Sequence, residues 1–358
     1  MGRKLTYAAA GVDRDLRAES KKALSVLKRT YGFSRYGKVV ELPYGRVFPF
    51  GDCYLDLVVE GVGTKVLVAQ LADRFDTIGV DGVAVAVNDV IRSGARPLAM
   101  ADNIHAQVSD PALISGFMKG IVKGAEDAEC IVPSGEIGDV AELIKGVAEG
   151  KGFDMVFASI GAVPKKRVIS GKNVKPGDVI VGLRGSGVHS NGISLVRRVL
   201  FKRWGGKYEA DAVPEGLDRA VVNEVLEPTV IYVKPVLAVA EQVEVKAAVH
   251  VTGDGYLKFN RLREFSGDIG FEFDNFKPQL IFSLIQKTAV NLGVTISDEE
   301  MFKTFNMGWG FALIVDKKDC DGTIDVLEKK GTEAEKIGRV TRTEGVKVLY
   351  KNKKIALK

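Results

Sequence analysis

A glycine-rich stretch at residues 182–200 (GLRGSGVHSNGISLVRRVL) has residue types that suit phosphate chemistry. Its glycines let the backbone turn with positive φ, and a serine or asparagine can cap the helix that starts near Ser190 or Asn191. Unpaired amides and the positive dipole end at such a helix start attract an anion. The candidate phosphate contacts are Gly185, Ser186, Gly187, Ser190 and Asn191. A tight strand-to-helix turn with a capping serine is the alternative, and the residues alone do not separate the two.

A second glycine turn, at residues 60–65 (EGVGTK), joins a short apolar strand to a helix. Thr64 precedes Lys65 here, whereas a P-loop needs lysine followed by serine or threonine. The parts that bind a nucleotide are still present as backbone amides, a cation and a carboxylate. The candidate nucleotide contacts are Gly61, Gly63, Thr64 and Lys65, and Glu60 is a candidate metal ligand. The alternative is a structural glycine turn with a surface lysine.

Acidic residues at several predicted strand and helix ends could supply a magnesium site. Mg²⁺ takes few protein oxygens and completes its shell with phosphates and water. The candidate ligands are Glu60, Asp89, Asp102 and Glu136, with Asn88 and Gly135 beside them as candidate nucleotide contacts. Taken singly, each acid is more often a helix cap or a surface residue.

Two of the three histidines lie on glycine-rich turns, His189 in the first stretch and His250 in HVTGDG at residues 250–255. Histidine changes charge near neutral pH and is the side chain used most often for proton transfer. A lone histidine at a strand end is usually structural, but two on such turns are harder to explain in that way. We interpret His189 as a catalytic candidate because it lies between glycines on a polar turn, away from any apolar face.

Composition limits the other classes of function. The formal charge of +5 is small and spread along the chain, so we expect no nucleic-acid partner. Cys53, Cys130 and Cys320 form no CxxC pair, which favours reduced thiols in a cytoplasmic protein. No apolar run has signal-peptide or membrane-spanning character, so we expect no membrane partner.

The elements that must position these residues alternate between strands and helices. The run YLDLVVE (54–60) predicts a buried strand before the second glycine turn, and residues 77–93 predict an apolar helix. The length favours two domains, and the polar segment 163–178 is the best boundary. We therefore predict a mixed α/β fold with domains at residues 1–168 and 169–358.

Seven segments, in order along nearly the whole chain, resemble one family. They are YAAAGVD, EGVGTKVLVA, FDTIGVDGVAVAVNDV, SGVHSNGISLVR, EPTVIYVKPVL, HVTGDG and EEMFKTFNMGWG. The family is that of the phosphoribosylformylglycinamidine cyclo-ligases, or aminoimidazole ribonucleotide synthetases. The resemblance implies ATP- and Mg²⁺-dependent ring closure of formylglycinamidine ribonucleotide, with release of ADP and phosphate. It implies His189, His250 and Lys65 as catalytic residues.

The resemblance also implies an architecture. An N-terminal ATP-binding and dimerisation domain would form a barrel across a homodimer interface, and a C-terminal α/β domain would cover the cleft. Several motifs depart from the family. Glu60 replaces an aspartate, SGEI replaces Gly-Gly-Glu-Thr without the Met-Pro-Gly loop that normally follows, and TGDG replaces a triple glycine. The segment RYGKVVELPYG stands where a glycine-rich segment is expected before the first strand. Two alternatives stay open, and the altered motifs favour only the second. One is another ATP-using enzyme of the superfamily, such as a thiamine-phosphate kinase or selenophosphate synthetase, and the other is a non-catalytic nucleotide-binding paralogue.

Overall fold

Two large β-sheets organise the chain in the computed structural model, which describes residues 3–358. The strands are β1 (Arg3–Lys4), β2 (Val40–Leu42), β3 (Gly45–Phe50), β4 (Cys53–Gly61), β5 (Arg96–Ala106), β6 (Ile131–Asp139), β7 (Phe153–Pro164), β8 (Val179–Arg184), β9 (Ala247–His250), β10 (Gly270–Phe273), β11 (Val294–Thr295), β12 (Trp309–Val315), β13 (Ala334–Thr341), β14 (Gly345–Tyr350) and β15 (Lys353–Leu357). The first sheet has the strand order β2-β3-β4-β7-β5-β6, and the second has the order β15-β14-β10-β13-β8-β12-β9. Strand β1 pairs with β11. The expected mixed fold is confirmed.

Helices cover and connect these sheets. Those of residues 3–358 are α1 (Arg14–Lys22), α2 (Lys65–Ala72), α3 (Asp76–Val90), α4 (Pro111–Ala128), α5 (Ile193–Leu200), α6 (Val221–Val225), α7 (Val233–Gln242), α8 (Arg263–Ser266), α9 (Leu280–Asn291), α10 (Asp298–Thr304) and α11 (Cys320–Lys329). The 3-10 segments Ala23–Phe33 and Gly255–Leu262 follow α1 and β9. No helix of the described chain is long and apolar enough to cross a membrane.

Helix α3 carries most of the polar groups that matter below. It lies between the first sheet and α4, and fourteen of its fifteen residues are buried, which explains why apolar residues are spread around the helix. Gly82 lets the helix approach the ring of Phe157 on β7, since a Cβ there would collide with that ring. Asp81, Asn88 and Asp89 are seven and eight residues apart, so they share one face of α3.

The other face of the first sheet carries an apolar row across four strands. Leu57 on β4 pairs with Ile160 on β7, Ile160 with Ala99 on β5, and Ala99 with Ile131 on β6. Leu57 and Ile131 are 56% and 65% exposed. A single chain therefore leaves one sheet face open to water, although its residue types are those of a buried surface.

The second sheet forms the core of the C-terminal half, and its strand β12 is buried at all seven positions. The predicted boundary at 168/169 falls between the last strand of the first sheet and β8. The division of the chain into domains at that point stays a prediction. The N-terminal segment crosses it, because Glu300 on α10 accepts hydrogen bonds from the Tyr7 amide and from Arg14.

Candidate active site

A polar cleft of about 380 Å³ lies where the end of β4, helix α3 and the turn after β9 meet. The structure brings many of the predicted residues to this cleft: Glu60, Gly61, Gly63, Asp89, Ser190, Asn191 and His250 all line it. Five cations line it as well: Arg17, Lys21, Arg92, Lys258 and Arg261. The two glycine turns that the sequence singles out therefore face one space, together with the HVTGDG turn.

Asp89 and His250 form the most constrained pair in the cleft. His250 Nδ1 lies 2.8 Å from Asp89 Oδ1, while Arg92 binds the other carboxylate oxygen at 2.8 Å. Burial opposes ionisation of Asp89, but Arg92 and His250 outweigh it and hold the pKa of Asp89 below its ordinary value. Burial also lowers the pKa of His250, against the opposing effect of Asp89. His250 is therefore neutral at pH 7, with Nδ1–H donating to Asp89 and Nε2 left as a proton acceptor.

Glu60 is the second carboxylate at this point of the cleft. Loss of solvent, and then the negative charge of Asp89, raise the pKa of Glu60 to about 7. Two carboxylates that repel each other in a partly desolvated cleft fit a divalent cation, which removes the repulsion. Among residues 3–358, however, no three His, Cys, Asp or Glu side chains gather as a metal cluster. The pair can supply only part of a coordination shell.

The sequence context predicts that Lys65 is exposed on the glycine turn, and the structure shows that this prediction is wrong. The side chain is fully buried, 2.7 Å from Asp81 Oδ2 on α3, and donates to the Glu227 carbonyl at 2.8 Å. Burial lowers the pKa of Lys65, against the opposing effect of Asp81. Asp81 also accepts hydrogen bonds from the Thr229 amide and from Ser190. Lys65 is thus part of a buried polar network behind the cleft, and the geometry gives no support to its role as a phosphate ligand.

His189 requires a correction too, because the polar turn on which it lies is folded inward. The ring is completely buried, Nε2 accepts from the Ser186 amide at 3.1 Å, and burial holds its pKa well below the ordinary value. A Cβ on Gly310 would collide with this ring, and one on Gly185 would lie 3.1 Å from Nε2. Glycine at these positions makes room for the imidazole, and only the folded chain brings Gly310 to this ring.

The start of α5 also differs from the prediction. The helix begins at Ile193 with Gly192 as its N-cap, so neither Ser190 nor Asn191 caps it. The Ser190 hydroxyl is used by Asp81, and the Ser186 hydroxyl donates to the Pro228 carbonyl at 2.5 Å. Gly187 is buried, and its carbonyl accepts from Asn306. Only the Ser190–Asn191 part of this stretch reaches the cleft.

The remaining predicted residues are not brought to the cleft. Asn88 is fully buried and holds residues 230–232 through hydrogen bonds to the Val230 carbonyl and the Tyr232 amide. Thr64 contacts Ser194. Asp102 on β5 lies opposite Gly135 on β6 in the same sheet, and the exposed Glu136 is the next residue along β6. The predicted four-carboxylate site therefore separates into Glu60 with Asp89, and Asp102 with Glu136.

Comparison with known proteins decides the family. The family model described as AIR synthase related protein, N-terminal domain, matches residues 47–163, and that of the C-terminal domain matches residues 175–351. A phosphoribosylformylglycinamidine cyclo-ligase of Thermococcus kodakarensis is 37% identical over 350 residues, covering 96% of this chain and 98% of that protein. The chain belongs to the phosphoribosylformylglycinamidine cyclo-ligase family. A member from Methanocaldococcus jannaschii is 39% identical over 343 residues, covering 94% of this chain and 92% of that protein.

Solved structures outside the family share the fold. Escherichia coli HypE, a hydrogenase maturation protein, has a TM-score of 0.57 at 15% identity and covers 85% of both chains. Thermotoga maritima PurL complexed with ATP has a TM-score of 0.55 at 16% identity, covering 88% of this chain and 44% of that one. At such low identity the likeness shows the fold alone.

One of the segments that resemble the family holds two distant parts of the chain by hydrogen bonds. In EEMFKTFNMGWG, Glu300 holds Tyr7 and Arg14 of the N-terminal segment, and Asn306 donates to the Gly187 carbonyl on the first glycine stretch. Ser297 followed by Glu300 three residues later has the residue types of a capping box, and the Ser297 side chain accepts from the Glu300 amide, which is half of that arrangement. The other half is absent because the Glu300 carboxylate is used by the N-terminal segment.

The sequence interpretation missed the cations of the cleft. Lys258 and Arg261 lie on the 3-10 segment after HVTGDG, three residues apart, so that spacing places both on one side of it. Lys258 is buried and donates to the His250 carbonyl and the Thr252 hydroxyl. Arg17 and Lys21 are four residues apart on α1, a helical spacing that was available from the sequence.

Proposed function

We propose that this chain catalyses the ATP-dependent closure of formylglycinamidine ribonucleotide to aminoimidazole ribonucleotide, with release of ADP and phosphate. The near-full-length identity to cyclo-ligases supports the reaction. The structural observation that carries it is the meeting of Glu60, Asp89 and His250 in one cleft. Phosphoryl transfer needs charge neutralisation and positioning, and ring closure needs a proton acceptor beside the reacting atoms.

Each group of residues has a part in this proposal. Glu60 and Asp89 would hold Mg²⁺, which neutralises charge on the ATP phosphates when bound. Backbone donors to phosphate oxygens come from Gly61 and Gly63, the latter at φ +70°, and from Ser190. The Val62 and Asn191 amides already donate to the Met155 and Val188 carbonyls. The substrate's amide oxygen takes the γ-phosphoryl group. The amidine nitrogen of the same substrate then attacks the activated carbon, and phosphate leaves. His250 Nε2 accepts the proton that this nitrogen loses.

We also propose that the active form is a homodimer in the cytoplasm, with the domain division at residues 168/169. The exposed apolar row Leu57–Ile160–Ala99–Ile131 supports dimerisation, because a second copy of the same face would bury it. The three cysteines are free thiols, and the burial of Cys130 and Cys320 is compatible with a reducing compartment.

One assay tests the reaction. Purified protein is incubated with ATP, Mg²⁺ and formylglycinamidine ribonucleotide, and ADP and aminoimidazole ribonucleotide are measured together. We expect one ADP per product, with both lost when substrate is omitted. ATP binding without product formation would contradict the proposal and favour the non-catalytic paralogue.

A further inference from the structure

The mouth of the cleft carries an excess of positive charge that the proposed chemistry does not use. Helix α1 and the segment Gly255–Leu262 face each other there, contributing Arg17 and Lys21 from one side and Arg261 from the other. Asp254 is the carboxylate between the two arginines: Arg17 lies 2.9 Å from its Oδ1 and Arg261 lies 3.3 Å from its Oδ2. Among the residues that the structure describes, no carboxylate oxygen lies within 4.0 Å of the Lys21 ammonium.

The inner part of the cleft is balanced by comparison. Arg92 and Lys258 lie with Glu60 and Asp89, so two cations meet two carboxylates. At the mouth, three cations meet one carboxylate, which leaves two positive charges. The electrostatic attraction for an anion is therefore concentrated at the mouth, away from Glu60 and Asp89.

We propose that Arg17, Lys21 and Arg261 form a subsite for the phosphate monoester of the substrate, an inference that rests on the proposed function. A phosphate monoester carries close to two negative charges at pH 7, which matches the uncompensated charge of the mouth. The two guanidinium groups already bind the two oxygens of one carboxylate, so their separation suits a small oxyanion with several acceptor oxygens. The glycine-turn amides deeper in the cleft would then bind the triphosphate of ATP.

The subsite depends on the N-terminal segment. Helix α1 has no buried residue, and its position is set by Arg14, which binds Glu300 and Thr304, and by the Arg17–Asp254 pair. Lys21 reaches the cleft only because α1 is held there. The subsite therefore assembles from two distant parts of the sequence, and this explains why no local motif predicts it.

Binding of ribose 5-phosphate and of ribose, measured by titration calorimetry, tests the proposal without turnover. We expect the wild-type protein to bind ribose 5-phosphate at millimolar concentration or better, and to bind ribose more weakly. Lys21→Ala and Arg261→Ala should each weaken ribose 5-phosphate binding about tenfold, since a charged hydrogen bond contributes that much. Both variants should retain the wild-type affinity for ATP. Lys22→Ala, which removes an equal charge from the same helix outside the cleft, is the matched control.

Three results would overturn the subsite: no wild-type preference for ribose 5-phosphate over ribose, unchanged binding in both variants, or an equal loss in the Lys22→Ala control. If the variants lose ATP affinity instead, the cations belong to the nucleotide site and the proposal is wrong. The KM for the ribonucleotide substrate should rise in both variants at nearly constant kcat. Failure of the ring-closure assay would overturn the proposed function alone, because the calorimetric difference is measured without that reaction.

Discussion

The hydrogen bond between Asp89 Oδ1 and His250 Nδ1, 2.8 Å long, joins the end of α3 to the end of β9. It therefore ties the two halves of the chain together at the cleft. It also selects one tautomer of His250, because an ionised carboxylate can only accept a hydrogen bond. As a consequence, the Nε2 atom of His250 carries a lone pair. This nitrogen is buried and has no protein partner among the described residues.

Asp89→Asn tests this relationship. An amide can donate to Nδ1 and so favour the opposite tautomer, which puts the proton on Nε2. We expect kcat for ring closure to fall by at least about a hundredfold, because the variant loses the positioned base and also a carboxylate of the proposed Mg²⁺ site. Steady-state kinetics measures the loss. Asp76→Asn, which changes an exposed acid in the first turn of the same helix, should leave kcat unchanged; a normal kcat in Asp89→Asn would remove His250 from the mechanism.

Local patterns predicted the elements well where the sequence itself contains the cause. Asp110 caps α4 and Pro111 occupies its first turn, as the residue types predict. The predicted helix over residues 77–93 corresponds to α3 and a short 3-10 turn. Helix α1 was missed, because its exposed residues follow no apolar stripe and tertiary ion pairs hold it in place.

The site was predicted less completely, because burial depends on partners that are distant in sequence. Lys65 follows a glycine turn, and only the folded chain reveals that Asp81, on the next helix, neutralises it. His189 lies in a polar sequence, yet Gly310, 121 positions later, leaves the space that the imidazole fills. By contrast, Glu60 and Asp89 do meet, since both are at the ends of elements that pack against each other.

Lys65→Met separates the sequence interpretation from the structural one. Removing the ammonium leaves Asp81 as an uncompensated buried charge, which costs about 3–5 kcal/mol of unfolding free energy. We expect a large fall in the denaturant midpoint, with a KM for ATP close to wild type in the fraction that remains folded. Denaturant unfolding followed by circular dichroism gives the first quantity, and kinetics gives the second.

Lys151→Met is the control for that variant, because Lys151 pairs with Asp73 at an exposed position. Its loss should change stability by less than about 1 kcal/mol. Wild-type stability in Lys65→Met, combined with lost ATP affinity, would restore Lys65 as a phosphate ligand.

His189→Ala should damage stability more than catalysis. The substitution leaves the Ser186 amide without its acceptor and opens a cavity beside Tyr232, at a cost of about 2–4 kcal/mol. Thermal unfolding and kcat, measured on the same preparation, compare the two effects. A kcat reduced a hundredfold at unchanged melting temperature would show that His189 is catalytic after all.

The same histidine predicts a pH dependence of stability. Its pKa in the folded protein is below the unfolded value of about 6.5, so the unfolded chain binds more protons as the pH falls through that value. Stability should therefore be full above pH 6.5 and decrease below it, and His189→Gln should flatten that decrease. His105→Gln, which removes the half-buried histidine of β5, is the control.

The last prediction concerns the open face of the first sheet. On β4, Asp56 faces the buried side of the sheet, while Leu57 and Val59 on the opposite side are 56% and 61% exposed. The residue types of this strand therefore suit burial on both faces. A second copy placed against the row Leu57–Ile160–Ala99–Ile131 would bury it symmetrically. We expect sedimentation velocity to show a wild-type dimer at micromolar concentration, and Leu57→Asp to shift it to monomer with correct secondary structure, because a charge buried in an apolar interface has no partner.

Val213→Asp alters an equally exposed valine (58%) before α6 and should leave the dimer intact. A fully active wild-type monomer would contradict the assignment, whereas a Leu57→Asp monomer with weakened activity would show that the interface also supports the cleft at the end of the same strand.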